Sequence, residues 1–189
     1  MPKFHLNQLF ENQNFAVSEL NFMEFEACVF QNCTFSDCIF VDVAFVDVAF
    51  KNCNFNTTQI NHTAFRTVFF ENCSIRDVNF AMCNRFIFEI HFTNCVLDFS
   101  KFYALKMKRT SFENCSMIAV DFMATDLTEA IFDNCDLYRA EFEKAIAIGA
   151  NFKSSYNYTI NPSKTKIAKA IFDLKNVKGL LQHHNIIIE

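Results

Sequence analysis

The sequence predicts an all-β solenoid of square cross-section, with about seven four-sided coils stacked into a rod. Three observations predict it. Apolar residues recur at every fifth position, small residues recur two places before each of them, and Asn-Cys pairs recur every four such units. Internal repetition at a fixed period outranks composition and local propensity in assigning a fold.

The first run of repeats keeps one frame. Phe10, Phe15, Leu20 and Phe25 open a series with an apolar residue at every multiple of five, through Ile60 and Ile75, to Phe80. A period of five is neither helical nor a simple strand alternation. The small positions explain it. Cys28, Cys33, Cys38, Val43, Val48 and Cys53 each lie two residues before a central residue, and residues two apart on an extended segment share a face. Each pentapeptide therefore offers two inward side chains and turns a corner with the rest. The other three positions are mostly polar and face water.

A two-residue slip follows within 81–87, in the segment Ala81-Met82-Cys83-Asn84-Arg85-Phe86-Ile87-Phe88. The new frame places Ile87, Phe92, Leu97, Phe102 and Met107 at the centre of successive repeats and runs on to Phe152. The slip reads as a corner bulge, or as a partner contact at which Arg85, Phe86 and Phe88 project together. Phe22, Phe69 and Phe99 fall off the series, on different sides.

The Asn-Cys pairs set the number of sides. Asn32, Asn52, Asn72, Asn94, Asn114 and Asn134 are spaced by 20, 20, 22, 20 and 20 residues, so four pentapeptides close one coil and the single 22 contains the slip. At roughly 4.8 Å per coil the rod is roughly 35 Å long. The same asparagines should form an amide ladder along one corner.

After Phe152 the frame weakens through Ile167 to Phe172, which divides the chain into a repeat rod at 1–172 and a cap at 173–189. Asp173 reads as an N-cap before a helix with Leu174, Val177, Leu180 and Leu181 on one face, ended by Asn185. Ile186-Ile187-Ile188 reads as a short strand. An open coil end exposes an aromatic core and needs such a cover.

The pattern of small residue, Asp or Asn, then Leu or Phe is plain at Val78-Asn79-Phe80, Val120-Asp121-Phe122, Thr125-Asp126-Leu127, Cys135-Asp136-Leu137 and Ala150-Asn151-Phe152. Over roughly residues 8–172 the chain resembles the pentapeptide-repeat family. The resemblance implies a right-handed quadrilateral β-helix. In the quinolone-resistance and fluoroquinolone-resistance groups of that family a terminal helix and strand make a homodimer. It therefore implies a dimer through Leu174, Val177, Leu180, Leu181, Ile186, Ile187 and Ile188.

Much chemistry is excluded. No apolar run is long enough to span a membrane as a helix, and no basic region before an apolar stretch marks a secretory leader at Met1-Pro2-Lys3. Two glycines cannot build phosphate-cradling loops. Twenty of the 26 phenylalanines fall at the centre of a repeat and fill the lumen, so the rod is solid and takes no cofactor. The nine cysteines fall at small inward positions, in straight columns that suit neither a disulfide nor a tetrahedral metal. Reduced cysteine suits a cytoplasmic protein. His5, His62 and His91 should lie outside, and no Ser/His/acid set should come together. His183 and His184, adjacent in sequence, would point apart on a helix. No metal site, catalytic residue or enzymatic activity is expected.

Charge then remains. Residues 1–50 carry a net −6, 51–110 a net +4 with Lys101, Lys106, Lys108 and Arg109 close together, 111–152 a net −6, and 153–189 a net +4. Two readings follow. One is a scaffold that binds an unidentified protein through its faces. The other, implied by the resemblance, is a DNA mimic that protects or inhibits DNA gyrase. Two acidic bands favour that role, while the basic belt opposes it. The belt has no ordered aromatic interleaving, so direct nucleic-acid binding is not expected, nor is a membrane partner.

Overall fold

The computed structural model describes residues 3–184 together with 186 and 187. Met1, Pro2, Asn185 and Ile188, named above, lie outside that description. The chain is a right-handed quadrilateral β-helix of about seven turns.

Among the described residues, eleven short strands mark the sides where pairing is most regular. These are β1 (Lys3–Leu6), β2 (Leu9–Glu11), β3 (Met23–Glu26), β4 (Val29–Gln31), β5 (Ile39–Val41), β6 (Ala44–Lys51), β7 (Gln59–Asn61), β8 (Ala64–Glu71), β9 (Ile90–Thr93), β10 (Ser111–Glu113) and β11 (Ile131–Asp133). All pair in parallel with the coil above or below. β6 sits on β8 with Phe45 opposite Phe65 and Phe50 opposite Phe70. β8 sits on β9 with Phe70 opposite Phe92, an offset of 22 that carries the slip. Elsewhere the sides meet through single parallel bridges, such as Ser116 to Asp136 and Asp121 to Glu141.

Four columns of central residues fill the lumen. We number the sides by them: Phe30 and Phe50 on the first, Phe35 and Phe55 on the second, Phe40 and Ile60 on the third, Phe25 and Phe45 on the fourth. All are buried. Rings one coil apart lie flat on one another, as in Phe112–Phe132 at 4.9 Å and 12°. Rings on neighbouring sides meet edge to face, as in Phe30–Phe35 at 5.6 Å and 70°. Both geometries are the favoured ones for aromatic pairs, worth about 0.5–1.5 kcal/mol beyond the burial itself.

The small inward positions have a second task besides fitting the corner. Their polar atoms donate to the carbonyl of a central residue one coil above. The thiol of Cys53 reaches Phe30 O at 3.4 Å and that of Cys135 reaches Phe112 O at 3.4 Å. Thr58, Thr125, Ser155 and Thr165 do the same with hydroxyls, Thr125 to Phe102 O at 2.7 Å. At these corners, though not where Val or Ala holds the small position, a buried carbonyl thus gains a side-chain partner.

The corners turn through the left-handed region. Asn32, Asp47, Asn52, Asn72, Ala104, Asn134 and many others have φ near +55°, while Gly149 is the one glycine among them. Asn and Asp tolerate this region best among non-glycine residues, which accounts for the Asn column. The bend is therefore a glycine-like conformation held by other residues, and Phe22, Ile87 and Phe99 occupy it too.

Three local expectations are corrected. Ile87 does not enter the lumen. It takes a left-handed corner and stands exposed, while Phe88 packs against the core with its ring 6.4 Å from Phe65. The two extra residues are absorbed between Cys83 and Ile90, both buried. His5 is not outside either. It holds a central position on β1 and stacks on Phe25 at 4.9 Å and 9°. Lower down, Tyr158 and Ile160 take the inward places where the regular frame would put Asn157 and Pro162.

The cap is not an α-helix begun at Asp173. It is two 3-10 turns, Val177–Leu180 and Gln182–His184, with Asn176 in the N-cap place. Asn176 instead extends its amide to Ser155 O at 3.4 Å. The cap is tied to the rod where Ile160 N–H donates to Gly179 O at 3.1 Å. Ile186 and Ile187 are exposed and outside any strand.

Candidate interaction surface

With the lumen filled, any site must be on the outside. The segment 84–88 protrudes most distinctly, at the corner between the fourth and first sides. Both ends are fastened to the coil above. Asn84 N–H donates to Thr63 O at 2.9 Å, and Glu89 N–H donates to Phe65 O at 3.1 Å. Within the loop, Phe86 N–H donates to Asn84 Oδ1 at 2.9 Å, and Arg85 Nη2 donates to Ala81 O at 3.2 Å. The backbone is held, and it presents Phe86 at 70% exposure and Ile87 at 57%.

Of the three residues expected to project here, Arg85 and Phe86 do so and Phe88 does not. Phe88 is half-buried because the central place left open under Phe65 needs a ring. Ile87 takes its part on the surface. The inversion could not be read from spacing, because an insertion of two leaves the choice of which apolar residue turns inward to packing.

A groove of 430 Å³ runs beneath the loop, lined by Ile87, Phe88, Glu89, His91, Lys106, Lys108, Arg109 and Thr110. The cations of the basic belt are unevenly placed around the rod, with Lys51, Arg76 and Lys101 one to a side on the first, second and third sides. Arg66, Lys106, Lys108 and Arg109 share the fourth side, above and below the loop, and Arg85 stands at its edge. Lys108 reaches Asp126 at 3.4 Å and Arg109 reaches Glu129 at 2.7 Å. Asp126 is partly desolvated, which opposes ionisation. Bonds from the Thr128 hydroxyl and backbone N–H, with Lys108 beside it, nevertheless hold its carboxyl below the usual range.

One constellation was missed in the sequence. Ser111 Oγ lies 2.9 Å from His91 Nδ1, and Glu89 Oε1 lies 3.8 Å from His91 Nε2. These residues come together because 91 and 111 are vertical neighbours on the first side. The spacing of 20, once the coil was known, was the signal. The Ser111 backbone N–H also donates to Nδ1, at 3.2 Å. The nitrogen that a serine nucleophile would need as base already accepts that bond, and the ring stacks on Phe69 at 5.3 Å. The arrangement is a surface ladder contact.

The Asn column forms a partial ladder. Asn32 donates to Asn12, Asn52 to Asn32, Asn94 to Asn72 and Asn134 to Asn114, at 2.8–3.2 Å. Among the described residues no such bond joins Asn52 to Asn72 or Asn94 to Asn114. All nine cysteines are free and buried. Burial pushes the Cys33 and Cys38 thiols up, and that of Cys83 up to about 12. Among the described residues no cluster of His, Cys, Asp and Glu could hold a metal.

At the other end, Val177, Leu180 and Leu181 are half-buried, Leu180 packs against the core, and Leu174 is 85% and Ile187 89% exposed. Beside the cap lies an open cavity of 870 Å³ with Tyr138, Arg139, Glu143, Lys164, Lys178 and His183 on its walls. Lys164 pairs with Glu143 across it at 3.3 Å.

Comparison with known proteins agrees with the architecture. The family model for the pentapeptide repeat region matches residues 23–85 and 86–161. No curated protein matches the chain. Among solved structures, a trypsin-treated form of QnrB1, a plasmid-mediated fluoroquinolone resistance protein, is 13% identical with a TM-score of 0.81, covering 100% of both chains. A second trypsin-treated form is 12% identical with a TM-score of 0.65, over 98% of this chain and 100% of that one. HetL, a pentapeptide repeat protein from the cyanobacterium Nostoc sp. strain PCC 7120 involved in heterocyst differentiation regulation, is 13% identical with a TM-score of 0.46, over 90% of this chain and 87% of HetL. Identities this low speak for the fold alone. With its repeats matched in two adjoining stretches over most of its length, the chain belongs to the pentapeptide-repeat family.

Proposed function

We propose that the rod is a non-enzymatic protein-binding module that works as a homodimer joined at its C-terminal end. The observation that carries this reading is where large apolar side chains remain exposed in a molecule that buries its aromatic columns so fully. Leu174, Ile186 and Ile187 stand out at the capped end, and Phe86 and Ile87 at the loop. Others, such as Phe4, Leu9, Phe22 and Phe99, lie scattered along the rod, but at these two places exposed apolar residues are neighbours in sequence, which fits contact with another protein. Leu174, Val177, Leu180, Leu181, Ile186 and Ile187 form the dimer contact, and Arg85 and Phe86 belong to the partner contact. The free, buried thiols fit a reducing compartment, and the reading places the protein in the cytoplasm.

Light scattering at micromolar concentration tests the dimer. Twice the chain mass of 22.0 kDa is expected, and a monomer mass overturns it. The second reading is DNA mimicry directed at gyrase. It is supported by the acidic stretches 1–50 and 111–152 and by a rod shape shared with QnrB1. Against it stands the one-sided cationic patch, which would face a DNA-binding saddle with the wrong sign. Supercoiling by gyrase with increasing amounts of this protein separates the two. Inhibition, or protection from a quinolone, favours mimicry, whereas no effect at large excess leaves the module.

A further inference from the structure

We propose that the groove beneath the 84–88 loop docks a short acidic segment of a partner protein, with an apolar residue of that segment seated on Phe86 and Ile87. The proposal rests on the reading of the rod as a protein-binding module and supplies the chemistry of its partner.

Charge argues for the acidic part. Lys106, Lys108 and Arg109 are exposed on the groove wall, and Glu89 is the one carboxylate lining it. Among the described residues Lys106 forms no salt bridge, Arg109 holds Glu129 in an exposed pair, and Lys108 reaches the partly buried Asp126. An exposed pair such as Arg109–Glu129 is worth about 0–1 kcal/mol, so an incoming carboxylate can replace Glu129 at small cost, and Lys106 is open to a second. Arg66, one coil above the loop, has its Nε buried without a hydrogen-bond partner.

Shape argues for the apolar part. Phe86 and Ile87 are neighbours on the loop and both are exposed. The loop that carries them is fixed by backbone bonds to Thr63 and Phe65, so little ordering entropy is lost when a ligand arrives. A peptide fits better than a nucleic acid. Phosphate backbones are tracked by continuous runs of cations, and here Glu89, Asp126 and Glu129 interrupt the patch. A volume of 430 Å³ also suits a few residues rather than a duplex.

The test is fluorescence anisotropy on the full chain with three labelled probes: a short Glu-rich peptide carrying a central Phe-Leu pair, an all-Glu peptide of equal length, and a single-stranded oligonucleotide. The first should bind, and Lys106→Glu and Phe86→Ala should each weaken it by about tenfold or more. Both residues are exposed, so circular dichroism melting should not change. Equal binding of the all-Glu peptide, tighter binding of the oligonucleotide, no binding of the first probe, or unchanged affinity in either folded variant would each overturn the proposal. Light scattering and the gyrase assay read the module separately, so a failed groove and a failed module give different results.

Discussion

Gly179 lies so close to Tyr158 that a Cβ at position 179 would come 2.1 Å from the Tyr158 carbonyl oxygen and 2.8 Å from its ring. No side chain fits there. The chain end crosses the rod at this point, over the irregular level where Tyr158 and Ile160 fill the lumen, and glycine is needed for close approach rather than for an unusual φ.

Gly179→Ala should therefore lift the cap from the rod. We expect a loss of about 1–3 kcal/mol, the usual cost of overpacking, and faster proteolysis of the C-terminal residues. Thermal melting with limited trypsin digestion checks it, and an unchanged melting point with unchanged digestion would contradict the contact.

Thr125 tests the carbonyl contacts at the corners. Thr125→Ala removes the 2.7 Å bond to Phe102 O and leaves that carbonyl only the Leu105 N–H at 3.2 Å, at a cost of about 0.5–1.5 kcal/mol. Thr125→Cys should cost less, because Cys fills the equivalent place at 53, 73 and 135. Urea denaturation of the two variants gives the order, and equal stability would deny the hydroxyl this role.

Ile87 is a β-branched residue at φ +53° with its side chain in water. Ile87→Gly relieves a left-handed strain of about 1–2 kcal/mol, offset in part by the greater freedom of glycine in the unfolded chain. The net expectation is a gain of up to about 1 kcal/mol, visible as a higher melting temperature.

Asp126 makes stability depend on acid. Its folded-state pKa is depressed, so the stabilisation is present above the ordinary carboxylate range and is lost as pH falls through the folded value. On acidifying below about pH 4, Asp126→Asn should lose melting temperature less steeply than the parent protein. Parallel curves would show that the Thr128 bonds and the Lys108 pair carry no such weight.

The period of five made the lumen legible, since Phe30, Phe70 and Phe112 can be placed by counting. Two things resisted counting. Where the period breaks, packing decides: Phe88 displaced Ile87 because an aromatic place was open beneath Phe65, and Tyr158 displaced Asn157 in the same way. The outside was legible only as height. The column through His91 and Ser111, and the confinement of Lys106, Lys108 and Arg109 to one side, depend on azimuth, which emerges when residues 20 apart are set one above another. The cap was misread because Leu174, Val177, Leu180 and Leu181 have helical spacing, while the short approach at Gly179 imposes tighter turns.

The two extra residues at the loop are absorbed within one coil, and pairing resumes beneath with β9 squarely under β8. Direction around the axis is thus counted in whole sides. Adding or removing one pentapeptide would turn everything below it by a quarter revolution, and adding four would lengthen the rod while leaving its heading unchanged. The angle between the loop and the capped end is therefore a number fixed by length alone, and it can be reset in right-angle steps without touching either surface.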